Sequence, residues 1–231
     1  PVEIWARLVL GVKKEIPASS MERIAWGNRL ERPAFDAWLE RFEPDRADDW
    51  QPGVSREPSS PDWVRYTVDF ERPGALMEVK TTSAYNRNQW GREGTDEIPI
   101  NYQIQIHWYL YHERIRLRAL KDPSWPPPER CYVAVLIGGQ ELLGYVIEAD
   151  DKFGEEMFDR VAAWHRAYII TGDCPPADAS PGCREYLAGK FRKPSDNIRP
   201  AQDKETGALL AWLDLTQKKA ALKEQLSLAE N

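Results

Sequence analysis

The chain has 231 residues, of which 42% are hydrophobic and 29% are charged, and its formal net charge at pH 7 is −6. A chain of this length and composition forms one large or two small globular domains with a sizeable core. The negative charge argues mildly against a protein that coats nucleic acid, because such binding depends on clustered lysine and arginine side chains. It does not exclude a protein that contacts phosphate through local basic stretches.

Cysteine usage and hydropathy bear on the compartment of the protein. No apolar run reaches 18 residues, which excludes a membrane-spanning helix. The cysteines Cys131, Cys174 and Cys183 are odd in number and scattered, which favours a reducing cytoplasm over a disulfide framework. They form no Cys-x-x-Cys pair, so a cysteine metal site is not expected. We therefore expect a cytoplasmic protein without membrane contacts.

The first predicted elements are helices. Residues 2–11 already have a helical pattern, so we expect further residues before Pro1. The segment 21–43 predicts a second helix, which Pro33 should kink or restart because proline lacks the N–H donor. The stripe of this helix consists of Ile24, Gly27, Glu31, Phe35, Trp38 and Phe42. Glu31 is a carboxylate on a stripe that is otherwise apolar or glycine, so a lysine or a metal ion should lie beside it.

A loop and a β-hairpin follow. Residues 44–62 are rich in proline, aspartate and serine and predict a loop. Residues 63–71 and 75–83 predict two strands, because both are β-rich and an Arg-Pro-Gly turn signal separates them. Asp69 and Glu78 lie at similar distances from that turn. We therefore expect these two side chains to approach each other across the hairpin.

The second half of the chain predicts a mixture of helices and strands. A helix should begin near Pro99 and carry Tyr102 and Gln105 on one face, which they share with Tyr109. The later segments predict, in order, a loop over 122–130, strands over 131–137 and 141–149, a helix over 151–172, a proline-rich connection through 200 and a partly heptad-like helix from about 203. We expect a main domain over 1–200 and a helical extension over 201–231, which either packs on that domain or begins a longer helix.

The acidic residues and one lysine form a pattern with chemical meaning. Strand side chains alternate faces, so Glu78 and Lys80 point the same way. A Glu-x-Lys triplet alone is weak, since it arises about once by chance in a chain of this size. Together with Asp69 and Glu31, however, it brings three carboxylates to one place, where they repel one another unless a divalent cation lies between them. Such oxygen ligands suit Mg²⁺ or Mn²⁺. A nearby lysine can then stabilise developing charge on a phosphate, which indicates phosphodiester chemistry.

At this point the sequence resembles a known family. The segments that carry the resemblance are "WGNRLE" (26–31), "VDFERPGALMEVKTTS" (68–83), "IPINYQIQIHWYL" (98–110) and "AAWHRAYIITGDCPPADAS" (162–180). They are similar to the YqaJ viral recombinase family, phage-type relatives of lambda exonuclease within the PD-(D/E)xK nuclease superfamily. The resemblance covers most of residues 1–180. It implies an α/β fold in which helices flank a central mixed β-sheet.

The resemblance also implies roles for single residues. Glu31 matches the helical acid of the family, Asp69 and Glu78 match its metal-binding acids, and Lys80 matches its catalytic lysine. The carbonyl of Val79 would be a further ligand of one or two Mg²⁺ ions, for which Mn²⁺ could substitute. Tyr102 and Gln105 match residues near the scissile phosphate.

The aspartate of the superfamily motif has two possible positions. Pro61-Asp62 spells the motif literally, but Asp62 lies sixteen residues before Glu78. Asp69 lies nine residues before Glu78, which better fits a short hairpin, so we favour Asp69. In addition, an upstream serine-containing segment that the family usually carries would lie before Pro1.

Ordinary structural interpretations stay open for these residues. Glu31 could pair with an arginine in a core, and Asp69 could be a turn residue. Glu78 and Lys80 could form a surface ion pair. Tyr102 and Gln105 could lie on the plain surface of a helix.

The resemblance implies a 5′→3′ exonuclease that acts on double-stranded DNA ends. It would supply single strands to a phage single-strand annealing protein, in a bacterium or a phage-infected host. Lambda-type relatives form a ring of three subunits, and basic stretches at 87–92 and 189–193 could line its channel, while 114–118 is also basic. Two alternatives are an endonuclease of the same superfamily and a non-catalytic module that binds DNA or docks a partner.

Overall fold

The computed structural model of the chain describes residues 1–13, 16–56, 61–191, 200 and 202–229. They belong to two compact units, Pro1–Ala177 and Asp178–Asn231. The helices are α1 (Val2–Val9), α2 (Ala18–Phe42), α3 (Ile100–Leu120), α4 (Asp151–Trp164), α5 (Pro181–Lys190) and α6 (Asp203–Ala229). Among these described helices, none has the length and apolar character needed to cross a membrane. The division into domains over 1–200 and 201–231 stays a prediction.

Five strands form a single mixed sheet in the first unit. They are β1 (Gln51–Pro52), β2 (Phe70–Arg72), β3 (Ala75–Thr82), β4 (Arg130–Ile137) and β5 (Glu141–Glu148), and they lie side by side in chain order. β3 and β4 are parallel, whereas the other neighbours are antiparallel. A parallel pair needs a long crossover, and here the connection contains α3. The predicted α/β fold with a central mixed sheet flanked by helices is confirmed.

The predicted hairpin is present as β2 and β3. Gly74 in its turn has a φ of +77°, a backbone conformation that glycine adopts readily because it has no Cβ. The first five residues of β3 are buried, as expected for a central strand that is covered on both faces. Leu76 packs in the core beneath α3, while Met77 and Val79 pack in the core beneath α2. The alternation of strand side chains therefore turns Glu78 and Lys80 towards α3.

The structure of α2 differs in part from the predicted helix and its apolar stripe. It continues through Pro33 without a restart. Both Pro33 and Arg29, whose carbonyl loses its partner, lie on the exposed side, where water can satisfy that carbonyl. Phe35 and Trp38 are buried as predicted, but Ile24 is 51% exposed. The buried residues of the helix, Ala34, Phe35, Trp38 and Leu39, therefore all lie in its second half.

Three other segments differ from the predicted elements. Residues 63–69 are part of a predicted strand, but among the described residues they form only an isolated bridge, Arg56↔Tyr66. Their predicted alternation is present, since Val64, Tyr66 and Val68 are buried. The predicted loop 44–62 contains a 3-10 helix, Pro44–Asp49, and the short strand β1, while its residues 57–60 lie outside the described residues. The predicted helix 151–172 changes to a π-helix over His165–Ile170, and α5 lies within the predicted connection.

Candidate active site

Glu78 lies at the centre of the predicted site and is 2% exposed. Its Oε1 accepts hydrogen bonds from the Lys80 ammonium and from the Gln105 amide, the latter at 2.8 Å. Its Oε2 is buried and has no hydrogen-bond partner within the described part of the chain. Burial, and secondarily the charge of Asp69, raises the pKa of Glu78 to about 7, although Lys80 opposes this rise. A surface ion pair is therefore the wrong interpretation of Glu78 and Lys80.

The hairpin brings the Asp69 side chain into hydrogen-bonding contact with the backbone of β3. The pair Phe70↔Met77 is the last in register, and just beyond it the Val79 N–H donates to Asp69 Oδ2 at 2.7 Å. Burial raises the pKa of Asp69, and the bond from Val79 and the charge of Lys80 only partly offset this effect. Asp62, by contrast, is exposed in a turn. Asp69 is thus the aspartate that the hairpin brings to Glu78.

Glu31 reaches the same cluster from α2. It is half-buried, and burial followed by the charge of Asp69 raises its pKa, whereas Lys80 lowers it. Among the described residues, no arginine forms an ion pair with Glu31. The cation that stabilises its ionised form is Lys80. Lys80 therefore stabilises the ionised forms of three carboxylates, each of which still has a raised pKa.

The helix α3 contributes Tyr102 and Gln105 to this cluster. The Lys80 Nζ lies 5.1 Å from the centre of the Tyr102 ring, within range of a cation–π contact. The Gln105 amide that donates to Glu78 also donates to the Tyr109 hydroxyl, one turn further along the helix. Neither Tyr102 nor Gln105 is a plain surface residue.

Tyr109 is a site residue that the sequence did not single out. Burial, and then the charge of Glu78, raises its pKa above the usual value of a tyrosine. Its hydroxyl accepts a hydrogen bond from the Gln105 amide and so holds that amide in place. The amide in turn donates to Glu78 and orients its carboxylate. The four-residue spacing of Gln105 and Tyr109 on a helix was the available signal, because it places both side chains on one face.

The donor set fits a hard divalent cation in its chemistry. It consists of carboxylate oxygens, of which the buried Oε2 of Glu78 lacks a hydrogen-bond partner within the described ranges. Among the residues that the structure describes, no three His, Cys, Asp or Glu side chains already converge as a ligand set. Glu31, Asp69 and Glu78 would therefore have to move closer to one another to ligate an ion. Their raised pKa values indicate that additional positive charge would stabilise their ionised forms.

Several arginines of the basic stretches form ion pairs with acidic residues of the protein. On α3, Arg114 and Arg118 both bond to Asp151, each at 2.7 Å, and Arg116 bonds to the buried Glu113. In the stretch 87–92, Arg87 bonds to Glu141 at 3.0 Å. These arginines form ion pairs within the protein, but Arg87 and Arg118 stay about half exposed, so their contact with phosphate stays a prediction. Residues 192 and 193 of the third stretch lie outside the described residues.

Comparisons with known proteins show which family the range around the site is similar to. Residues 1–112 match the model of the YqaJ-like viral recombinase domain. The uncharacterized protein YqaJ of Bacillus subtilis (strain 168) is 30% identical over 153 residues, which are 66% of this chain and 42% of that protein. The comparisons thus find a similarity to the YqaJ-like viral recombinase domain family, the same family that the quoted sequence segments resemble. This YqaJ-like range contains every predicted site residue. The chain spans less than half of the length of the Bacillus relative.

Solved structures of exonucleases are similar to the chain at low sequence identity. The alkaline exonuclease LHK-Exo from Laribacter hongkongensis has a TM-score of 0.39 and 14% identity, covering 82% of this chain and 84% of that one. A putative exonuclease from Eubacterium rectale has a TM-score of 0.48 and 13% identity, covering 86% and 84%. The mixed sheet and its flanking helices are established by the strand pairing of the YqaJ-like chain itself.

Proposed function

We propose that this chain is a Mg²⁺-dependent deoxyribonuclease. The observation that carries the proposal is the buried cluster in which Lys80 serves the carboxylates of Glu31, Asp69 and Glu78. Carboxylates with raised pKa values beside a lysine are typical of catalytic sites. The match of residues 1–112 to the model of a viral recombinase domain supports DNA as the substrate.

Each residue of the cluster would have a distinct task. Glu31, Asp69, Glu78 and the Val79 carbonyl would hold one or two Mg²⁺ or Mn²⁺ ions. A bound ion would supply a Lewis acid that polarises the phosphodiester and promotes ionisation of water. Lys80 would stabilise the charge that develops on the phosphate oxygens or support the attacking nucleophile.

The residues on α3 would keep this machinery in place. Gln105 donates to Glu78 Oε1 at 2.8 Å, so it fixes the orientation of the carboxylate plane. Tyr109 accepts from the same amide and so holds Gln105. Preorganised hydrogen bonds of this kind lower the cost of arranging a site during reaction.

We further propose that the enzyme is a 5′→3′ exonuclease on double-stranded DNA ends. It would work in a bacterial or phage-infected cytoplasm and supply single strands to a phage annealing protein. The support is the resemblance to phage-type recombination nucleases, since acid spacing alone does not encode a preference for ends. An endonuclease of the same superfamily would use the same cluster.

Digestion of linear against covalently closed circular duplex DNA tests this proposal. With Mg²⁺ we expect loss of the linear duplex, release of nucleotides from a 5′ label before a 3′ label, and intact circles. As controls, EDTA should stop digestion and the variant Lys80→Ala should slow it strongly. Rapid cutting of circles would instead identify an endonuclease. Binding of both DNAs without any cutting would identify a non-catalytic module.

A further inference from the structure

Trp90 belongs to the stretch 87–92 that is expected to contact DNA, yet it is 3% exposed. Its ring stacks on Tyr102 with centroids 5.6 Å apart and planes inclined by 27°. The same Tyr102 ring lies 5.1 Å from the Lys80 Nζ. A continuous chain of contacts therefore leads from a buried tryptophan to the lysine of the candidate site.

Trp90 is itself held firmly against the sheet. Arg87 donates to the Trp90 carbonyl at 2.7 Å and bonds through its Nε to Glu141 at the start of β5. The ring of Trp90 also packs on Tyr145 of β5, with centroids 5.5 Å apart. The Tyr145 hydroxyl donates to the Gly91 carbonyl at 3.0 Å. The basic stretch thus anchors Trp90 to β5 by several independent contacts.

The contact between Lys80 and Tyr102 matters because the hydrogen-bond partner of Lys80, the Glu78 carboxylate, is also a proposed ligand of the metal ion. Lys80 bonds to Glu78 Oε1, and that carboxylate is a proposed metal ligand. A carboxylate that ligates a cation holds a neighbouring ammonium less strongly, because the cation neutralises part of its charge. A lysine side chain has four rotatable carbon–carbon bonds and needs a second contact to stay in place. The face of an aromatic ring supplies one without competing for metal ligands.

We propose that Trp90 is a positioning residue, which fixes the Tyr102 ring so that this ring holds the Lys80 ammonium beside Glu78. This inference rests on the proposed nuclease function and assigns the stretch 87–92 to support of the site. The ring face of Tyr102 makes the contact, so its hydroxyl is dispensable for this role. Trp90 acts only through Tyr102 and Lys80.

Double-mutant cycles test whether the three residues act in series. Kinetics on linear duplex with Mg²⁺ are measured for Trp90→Leu, Tyr102→Leu and Tyr102→Phe, each with Lys80 and with Lys80→Ala. We expect both leucine variants to lower kcat by about 10- to 100-fold with little change in KM, because a displaced catalytic group costs rate more than binding. Tyr102→Phe should restore kcat to within about threefold of wild type, since phenylalanine also holds cations over its ring.

The variants that also carry Lys80→Ala decide whether Trp90 and Tyr102 act through Lys80. If Trp90 and Tyr102 act through Lys80, then neither leucine substitution lowers the residual rate of Lys80→Ala any further. An equal fold-loss in that background would overturn the proposal, since it would show a general effect on the fold. A Tyr102→Phe variant as slow as Tyr102→Leu would also overturn it, because the hydroxyl would then be the working group. The matched control is Phe158→Leu, which removes a ring from a stack with Trp63 and should leave kcat unchanged.

A second measurement does not depend on activity. In a chain labelled with ¹³C-lysine, the ε-methylene signal of Lys80, assigned by its absence in Lys80→Ala, should shift upfield from the Tyr102 ring current. The shift should persist in Tyr102→Phe and Phe158→Leu, shrink in Trp90→Leu and vanish in Tyr102→Leu. A wild-type chain with this shift but no nuclease activity would reject the proposed function and keep the contact. A wild-type chain without the shift would reject the positioning role even if it digests DNA.

Discussion

At the scale of single residues, Glu78 shows how burial and function are linked. Burial together with Asp69 raises its pKa to about 7 from an ordinary 4.5, against the opposing charge of Lys80. Between those values the native state binds more protons than the unfolded state. The stability that Glu78 contributes is therefore complete below its unfolded pKa and is lost as pH rises through about 7. The pKa values of Asp69 and Glu31 are raised in the same direction.

The first prediction follows from this loss of stability with rising pH. In EDTA, the free energy of unfolding of the wild type should fall between pH 5 and pH 8, by roughly 3 kcal/mol at most from Glu78. The Glu78→Gln variant should show a shallower fall, because its amide does not ionise. Adding Mn²⁺ at pH 8 should restabilise the wild type more than the variant. Urea titrations across this pH range check the prediction, and parallel slopes for the two proteins would contradict it.

The second prediction separates the roles of Lys80 and Asp69. Lys80→Ala should keep Mn²⁺ binding, since it removes a cation and no ligand, but should lower turnover roughly 10²–10⁴-fold. Asp69→Asn should weaken Mn²⁺ binding itself, because it removes an ionised oxygen ligand. Calorimetric Mn²⁺ titration and turnover on linear duplex measure both effects.

Asp62→Asn is the matched control, since Asp62 is exposed in a turn. It should change neither Mn²⁺ affinity nor turnover. Loss of metal binding in Asp62→Asn with normal binding in Asp69→Asn would mean that the wrong aspartate is assigned. Full turnover in Lys80→Ala would remove the lysine from the mechanism.

At the scale of elements, contacts that are local in sequence were predictable and distant ones were not. The hairpin and the alternation of β3 follow from a turn signal and a two-residue period, so Asp69 and Glu78 could be paired in advance. The bond between Gln105 and Glu78 spans 27 positions, and only the family resemblance pointed to it. The burial of Trp90 depends on packing against β5, which no local pattern in the stretch 87–92 encodes.

The arginines of α3 illustrate the same limit. Their spacing indicates a basic surface, but Arg116 bonds to Glu113, which is 1% exposed. Burial disfavours the ionised form of Glu113, yet the hydrogen bonds from Arg116 and Tyr66 lower its pKa below the usual value. The number of arginines in a sequence segment does not reveal which acidic residues form ion pairs with them in the folded protein. Arg116 at least therefore contributes to the internal structure of the first unit.

The third prediction tests that assignment on α3. Arg116→Ala should lower the free energy of unfolding by about 2–3 kcal/mol, because the buried Glu113 carboxylate loses hydrogen bonds from a charged donor. Arg118→Ala, whose ion pair with Asp151 is about half exposed on both sides, should cost less than about 1 kcal/mol. Urea unfolding measures both variants. A loss of DNA affinity in fluorescence anisotropy, at unchanged stability of Arg116→Ala, would return these residues to the DNA-binding surface.

At the scale of the whole molecule, α6 presents apolar side chains to solvent along its described length. The exposed large ones are Leu209, Leu210, Trp212, Leu213, Leu215 and Leu222. A helix that is apolar on several sides is normally buried against other helices. The resemblance to lambda-type nucleases implies a homotrimer, and α6 is one of the described elements with exposed apolar side chains to contribute to an assembly.

The fourth prediction is that the chain forms this trimer and that α6 contributes to it. Light scattering at working concentration should report about 80 kDa, three times the 26.6 kDa of one chain. The double variant Trp212→Glu, Leu215→Glu should dissociate to about one chain mass, because buried unpaired carboxylates cost several kcal/mol. The matched control, Thr206→Glu with Gln217→Glu, adds the same charge at polar positions of α6 and should stay trimeric. A trimer in both double variants would exclude α6 from the interface. A monomeric wild type would remove the ring and leave the chemistry of Glu78 and Lys80 untouched.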